Sequence, residues 1–351
     1  MSDMALEIAQ QVRAASVKNQ PLHVLGAGSR HFLGRAAYGA TLSVAPHRGI
    51  MAYEPREMVI TARAGTLLAE IEAELDAGGQ MLAFEPPRFS EASTLGGAIA
   101  SGLSGPRRAY AGAARDFVLG CRIVNGKGEL LTFGGQVMKN VAGYDVSRLM
   151  VGAYGTLGVL LDVSLKVLPK PAMSLTLRQE CSAQQALREM RELAGRPLPI
   201  DASCHLDGQL HLRLSGTPQA VAAARRSLGG KEMENGGDFW TRLRHQQLPF
   251  FQDGHALWRL SVPAACGPLA LDGDSVIEWG GAQRWLSTDA DAVLVRGMAQ
   301  QAGGHAMLFR GGDRNAAFHP LPDGLLALHQ RVKRAFDPHG ILNPGRIYAE
   351  F

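Results

Sequence analysis

Apolar residues recur at two different periods along this chain. Near the N-terminus, Leu6, Ile8, Val12 and Ala15 fall close to helical spacing and predict a surface helix over residues 4–17. Short apolar runs at Leu22–Leu25, Leu42–Ala45 and Met58–Ala62 predict strands. Thr66 stands where it would cap a helix running to about Ala77, with Gly78-Gly79 as its stop. Phe117–Val124 and Glu129–Phe133 flank Asn125-Gly-Lys-Gly128, a hairpin signal, and Gly158–Leu168 reads as a strand that ends at Pro169.

The pattern then restarts. Ser174–Glu180 reads as strand, Ala183–Ala194 as helix, Ala202–Leu206 and Leu210–Leu214 as a hairpin over Asp207-Gly208, and Gln219–Leu228 as helix. This β-α-β-β-α order is the beginning of a ferredoxin-like half-barrel. Further strands are expected at Ala256–Val262, Ser275–Trp279 and His305–Phe309, with helices at Asp289–Ala302 and Gly324–Phe336. No repeat is visible in the residues themselves.

Two glycine-rich stretches interrupt the first module. One is Leu25-Gly-Ala-Gly-Ser-Arg-His-Phe-Leu-Gly34, after a strand; the other is Ser93-Thr-Leu-Gly-Gly-Ala-Ile-Ala-Ser-Gly-Leu-Ser-Gly105. Segments so poor in side chains let the backbone approach a ligand, and their N–H groups form concave nests for phosphate. Two such segments suggest a long ligand with a pyrophosphate at its middle, a description that FAD fits. The simplest dinucleotide fingerprint is absent: after Gly26 and Gly28 the next glycine is Gly34, three positions too late for G-x-G-x-x-G. No P-loop sequence occurs either.

A longer series of motifs is more specific. It comprises Glu85-Pro-Pro-Arg-Phe-Ser-Glu-Ala-Ser93, Ser104-Gly-Pro-Arg-Arg108, Arg115-Asp-Phe-Val-Leu-Gly120, Val137-Met-Lys-Asn-Val-Ala-Gly-Tyr-Asp145, Gly152-Ala-Tyr-Gly-Thr-Leu-Gly-Val159 and Asp337-Pro-His-Gly-Ile-Leu-Asn-Pro-Gly-Arg346. The series resembles flavoenzymes with a vanillyl-alcohol-oxidase-type (PCMH-type) FAD domain, and among them the FAD-binding E subunits of bacterial glycolate oxidase (glycolate dehydrogenase). The likeness extends over essentially the whole chain. It implies an α+β fold: a PCMH-type two-part FAD-binding domain over residues 1–170, a ferredoxin-like α+β cap domain over 171–320, and a C-terminal segment, 321–351, returning to the FAD domain.

The resemblance also assigns residues. Gly26, Ala27, Gly28, Ser29 and Arg30 match the first pyrophosphate loop. Thr94, Gly96, Gly97, Ser101, Gly102 and Gly105 match the segment beside the pyrophosphate and flavin, followed by Gly112. Gly158 and Val159 match the edge that meets the adenine, and Arg346 places positive charge near the flavin. Relatives with covalent FAD carry histidine where this chain has Ser29, so attachment here is expected to be noncovalent. Arg107-Arg108 reads three ways: phosphate neutralisation, steering of an anionic 2-hydroxy acid, or a partner contact. Lys139 and Asp145 read either as a salt-bridge pair or as flavin contacts.

No catalytic base is assigned. The G-D-G-N-x-H segment of self-sufficient D-2-hydroxy-acid dehydrogenases is missing, and Gly303-Gly-His305 and Gly311-Gly-Asp-Arg314 are spaced differently. The resemblance implies a larger FAD-containing partner subunit and an iron–sulfur subunit, with glycolate oxidised to glyoxylate and electrons passed to a membrane acceptor. The alternatives are a self-sufficient flavin-dependent dehydrogenase and a non-catalytic scaffold. The apolar patches around Trp279, Trp285 and Phe250-Phe251 read either as core packing or as docking surfaces.

Composition narrows the setting. The excess of Lys and Arg (36) over Asp and Glu (32) is mild, which excludes nucleic acid as a partner. Cys121, Cys181, Cys204 and Cys266 contain no C-x-x-C, so no metal site is expected and the thiols read as reduced. The N-terminus lacks a signal-peptide pattern, and Leu149–Leu168 holds Asp162 and Lys166. The expected location is cytoplasmic, touching the membrane's inner face only through partners.

Overall fold

The computed structural model describes residues 3–135 and 144–351. The chain divides into two compact units. One comprises the chain up to Leu103, Ala113–Pro169 and Pro320–Phe351; the other comprises Ser104–Gly112 and Lys170–His319.

The first unit is built on a five-stranded antiparallel sheet in the spatial order Ile50–Glu54, Val59–Arg63, Val159–Lys166, Val118–Val124 and Leu130–Gly134. Val159–Lys166 is buried at every position but its last, as a strand covered on both faces must be. Its one acid, Asp162, accepts hydrogen bonds from His47 and Arg122. Burial raises the Asp162 pKa, but these partners outweigh it and hold the carboxyl below its usual range. In the hairpin turn, Asn125 Oδ1 accepts from the amides of Lys127 and Glu129, both at 3.0 Å.

A parallel pair, Leu22–Leu25 with Ala40–Ser43, lies apart from that sheet, and Leu342 bridges to Leu22. The C-terminal segment is locked to this unit by a buried ion pair. Lys333 Nζ donates to Asp337 Oδ2 (2.7 Å) and to the carbonyls of Thr156 (2.8 Å) and Leu342 (2.7 Å). Asp337 also accepts from the amides of Ile341 and Leu342, so the charge is fully hydrogen-bonded where it is buried.

The second unit holds an eight-stranded antiparallel sheet with an unexpected internal order. Met173–Glu180, Ile200–Leu206, Gln209–Gly216 and Lys231–Glu232 stand in the ferredoxin-like order 4-1-3-2. Leu257–Ser261, Asp274–Glu278, Gln283–Ser287 and His305–Arg310 follow in the mirror order 2-3-1-4. The halves meet through two residue pairs, Cys204 with Glu278 and His205 with Ile277. The sequence shows no repeat, yet the topology contains one. The first half keeps helices Ala183–Ala194 and Pro218–Leu228, whereas the second has only Ala292–Gln301 before its last strand. Ser182 and Gln185 form a reciprocal cap at one helix start, and Thr217 caps the next.

Several expectations need correction. Leu6 is 70% exposed, because the buried stripe of helix Ala5–Val17 runs through Ile8, Ala9, Val12 and Ala15. Thr66 does not cap the helix Leu68–Ala77; its Oγ1 accepts from the amide of Gly49 instead (2.9 Å). Strands Ile50–Glu54 and Gln283–Ser287 and helix Gly236–Arg244 were not expected. For Trp279, Trp285 and Phe251 the core-packing reading holds and the docking one does not: all three are buried, Phe251 meets Trp285 edge-on, and Trp285 meets Phe309 likewise.

Candidate functional site: a backbone-lined cavity in the first unit

The strand Leu22–Leu25 delivers the chain into the first glycine loop, which lines a cleft of about 550 Å³. Gly28 has φ +73°, a left-handed turn that glycine adopts without steric cost. Opposite it lies the helix Leu95–Ser101, whose start is capped by Thr94 Oγ1 accepting from the Gly97 amide (3.3 Å). The two segments approach so closely that a Cβ on Gly26 would stand 2.7 Å from Thr94 Oγ1. A Cβ on Gly96 would stand 2.8 Å from the Ala64 Cβ. A second lobe of about 450 Å³ shares Val24, Gly26, Thr94, Gly97 and Ala100 and is closed by Val44, Ala64, Gly158 and Leu160.

Of the residues expected at a cofactor site, Gly26, Ala27, Gly28, Ser29, Arg30, Thr94, Gly97, Ser101 and Arg346 line the first lobe. Gly96 and Gly158 line the second. Gly102, Gly105, Gly112 and Val159 line neither. Gly102 is the left-handed stop of helix Leu95–Ser101, and Val159 is fully buried in its strand. Gly105 and Gly112 belong to the second unit, where the Gly105 carbonyl accepts from Trp279 Nε1 (3.0 Å). The same loop accounts for Arg107 and Arg108: one pairs with Asp201, and the other stacks 4.4 Å over Trp279. Lys139 lies outside the described residues. Asp145 caps the short helix Val146–Leu149, accepting from the Arg148 amide (3.2 Å).

The sequence reading missed Tyr154 and Asn343, which line both lobes. Asn343 Oδ1 accepts from the Val24 amide (2.8 Å), and its Nδ2 donates to the Tyr154 carbonyl (2.6 Å). Both residues have positive φ, +40° and +52°, an unusual conformation outside glycine. Their signal lay inside the quoted Asn-Pro-Gly-Arg and Gly-Ala-Tyr-Gly motifs. Arg346 holds the loop from outside: its guanidinium donates to the carbonyls of Arg30, His31 and Arg35. It thereby fixes the direction of the loop's peptide planes.

The residues present fit an anionic cofactor. The amides of Ala27, Gly28, Ser29 and Arg30 donate to no protein atom among the described residues. Among the described residues no carboxylate lines the first lobe, which carries Arg30, Arg346, His23 and His31. Burial, then Arg346 and His31, push the His23 pKa down, as expected in a positive field. Consecutive free N–H donors in such a field form an anion cradle. The titratable groups of the lobe among the described residues that can act as bases are His23 and His31. His305 is at the start of a second-unit strand, 6.3 Å between ring centres from His319; burial, then Arg259 and His319, lower its pKa. Among the described residues no cluster of His, Cys, Asp or Glu can hold a metal ion, and no helix is long and apolar enough to cross a membrane.

Fold and cavity together define a flavoprotein of the PCMH-type FAD-linked oxidase class. Residues 4–134 match the family described as "FAD binding domain", and residues 320–347 match "FAD linked oxidases, C-terminal domain". Solved structures of alkyldihydroxyacetonephosphate synthase share the fold, with a TM-score of 0.65 and 16% identity over 96% of this chain and 74% of that chain. The chain is 51% identical to "Glycolate oxidase subunit GlcE" of Escherichia coli over 99% of its own length and 98% of that protein. It therefore belongs to the glycolate oxidase E-subunit family of FAD-linked oxidases. It also matches "Glycolate oxidase subunit GlcD" of Bacillus subtilis, at 33% identity over 36% of this chain and 27% of that one. A "D-lactate dehydrogenase" of Anaerostipes hadrus matches at 30% identity over 49% and 36%.

Proposed function

We propose that this chain is the FAD-binding subunit of a glycolate dehydrogenase complex, holding one FAD without a covalent bond. The observation that carries this reading is full-length similarity to a glycolate oxidase subunit, joined to an anion cradle of free backbone amides. Ala27, Gly28, Ser29 and Arg30 would hold the diphosphate, and the apolar lobe closed by Val44 and Leu160 would take an adjoining ring. Arg346 and Asn343 keep the cradle in shape by spending their hydrogen bonds on loop carbonyls and strand amides. When bound, FAD supplies a two-electron acceptor, so glycolate yields glyoxylate, two electrons and two protons.

The similarity to two different glycolate oxidase subunits favours a hetero-oligomer in which a larger FAD subunit and an iron–sulfur subunit carry electrons onward. The chain would then work in the cytoplasm, meeting the membrane through its partners.

The test is purification of the chain alone and with its partner subunits, followed by a flavin count and glycolate-dependent dye reduction. One FAD per chain, released by acid denaturation, is expected. Little dye reduction by the isolated chain and full activity in the complex are expected as well. Flavin that stays attached to the denatured chain refutes the noncovalent bond. Reduction by the isolated chain at the rate of the complex establishes a self-sufficient dehydrogenase instead.

A further inference from the structure

Arg30 is buried to 9% exposure on the wall of the first lobe, yet both hydrogen-bond acceptors of its guanidinium are neutral. Nη2 donates to the Pro87 carbonyl (2.5 Å) and Nη1 to Ser29 Oγ (3.3 Å), while the guanidinium lies 5.4 Å from the centre of the Phe89 ring. Nε is buried and has no acceptor among the described residues. No carboxylate pairs with Arg30 among those residues. A buried cation without a counter-charge is unfavourable, and chains normally pair it.

The loop that holds it is the Glu85–Ser93 motif, to which the cradle itself gives no role. Ser93, fully buried, accepts through Oγ from the amides of Phe89 (3.2 Å) and Ser90 (3.3 Å) and donates to Ser29 Oγ (3.2 Å). One hydroxyl therefore ties the loop carrying Pro87 and Phe89 to the loop carrying Arg30. Side-chain freedom is small: a Cβ on Gly97 would already stand 3.4 Å from Arg30 Nη1.

We propose that Arg30, positioned by the Glu85–Ser93 loop, is the charge-reading residue of the cavity: its guanidinium takes its missing counter-charge from the ligand's diphosphate, so that cofactor loading relieves an imbalance stored in the empty chain. The proposal rests on the flavin reading of this cavity. The backbone amides contact phosphate without adding net charge. The guanidinium distinguishes a phosphorylated ligand from its uncharged counterpart, through a planar fork suited to two oxygens.

The experiment uses the full chain stripped of flavin, as wild type, Arg30→Met and Arg30→Lys. Affinities for FAD, ADP and adenosine are measured by titration, and thermal midpoints are recorded without ligand. Arg30→Met is expected to weaken FAD and ADP by about ten- to a hundredfold, the range for a hydrogen bond to a charged group, and to leave adenosine within about twofold. Arg30→Lys should recover part of the loss. The ligand-free midpoint of Arg30→Met should equal or exceed that of wild type. Unchanged FAD and ADP affinity overturns the proposal, and a lower ligand-free midpoint overturns it too, because Arg30 is then a structural residue. Failure of the wild type to bind FAD or ADP refutes the flavin reading itself, a separate outcome.

Discussion

Arg213 and Arg30 are about equally buried, at 8% and 9% exposure, but one sits in the sheet of the second unit and the other in the cavity of the first. Arg213 Nε donates to Asp201 Oδ1 at 2.6 Å, and Asp201 is shared with Arg107. Arg30 meets two neutral oxygens and an aromatic face. Elsewhere in the second unit Glu278 likewise accepts from Trp285 and Gln283, and the Trp279 ring meets the guanidinium groups of Arg108 and Arg259. Around the cavity, Arg30 has no acid partner among the described residues, and the amides of Ala27, Gly28, Ser29 and Arg30 donate to no protein atom among them. One buried arginine is thus neutralised by an acid of its own sheet, and the other keeps its charge for a ligand.

Breaking the matched side gives the largest expected effect. Asp201→Ala leaves Arg107 and Arg213 buried without their acid and should cost about 3–5 kcal/mol in urea unfolding. FAD affinity of the folded variant should be unchanged. A loss of affinity as large as that of Arg30→Met would erase the distinction between the two sites.

A second effect concerns His211, stacked on Phe239 with ring centres 4.2 Å apart. Burial, then the nearby charges of Arg178 and His205, hold its pKa down at about 4, against an ordinary 6.5. The unfolded chain takes up this proton first. Stability from this residue is therefore complete above about pH 6.5 and is lost as pH falls toward 4. By pH 5 the loss is about 2 kcal/mol. In His211→Phe this component of the slope between pH 7 and pH 5 should vanish; a slope equal to wild type would show that another group titrates.

Two smaller changes probe the cradle. Gly28→Ala forces a side chain into φ +73°, at a cost of about 1–2 kcal/mol, and should lower flavin content by displacing the free amides. Full flavin occupancy in the folded variant would remove this turn from the site. Thr94→Ala deletes the cap on helix Leu95–Ser101 and should cost about 1 kcal/mol. Since Thr94 Oγ1 also packs on Gly26, flavin should dissociate faster from this variant, measurable by stopped-flow fluorescence.

Elements with a strong local pattern were legible in the sequence. The Ala183–Ala194 helix has an amphipathic stripe and its own cap, and its limits match the sequence reading. Strand Gln283–Ser287 was not legible, because Gln283, Arg284 and Ser287 are polar residues at buried positions, which erases the apolar pattern that marks a buried strand. The glycines of the cavity announced a backbone site through composition. The attachment of residues 104–112 to the second unit could not be read, since it rests on Arg107 with Asp201 and Gly105 with Trp279, contacts far apart in sequence. Arg346 was legible as a residue of the site, but its work on loop carbonyls required coordinates.

The tail lock has a consequence in time. Leu22 pairs with Leu342, and the cavity wall includes Asn343 and Arg346, so the wall cannot close until residues 342–346 have been synthesised. Lys170–His319 is already complete by then and draws only Ser104–Gly112 from upstream, so its sheet can form while the chain is still growing. The cradle is therefore completed after the sheet of the second unit. A nascent chain halted before Lys333 should hold a protease-resistant second unit and no flavin.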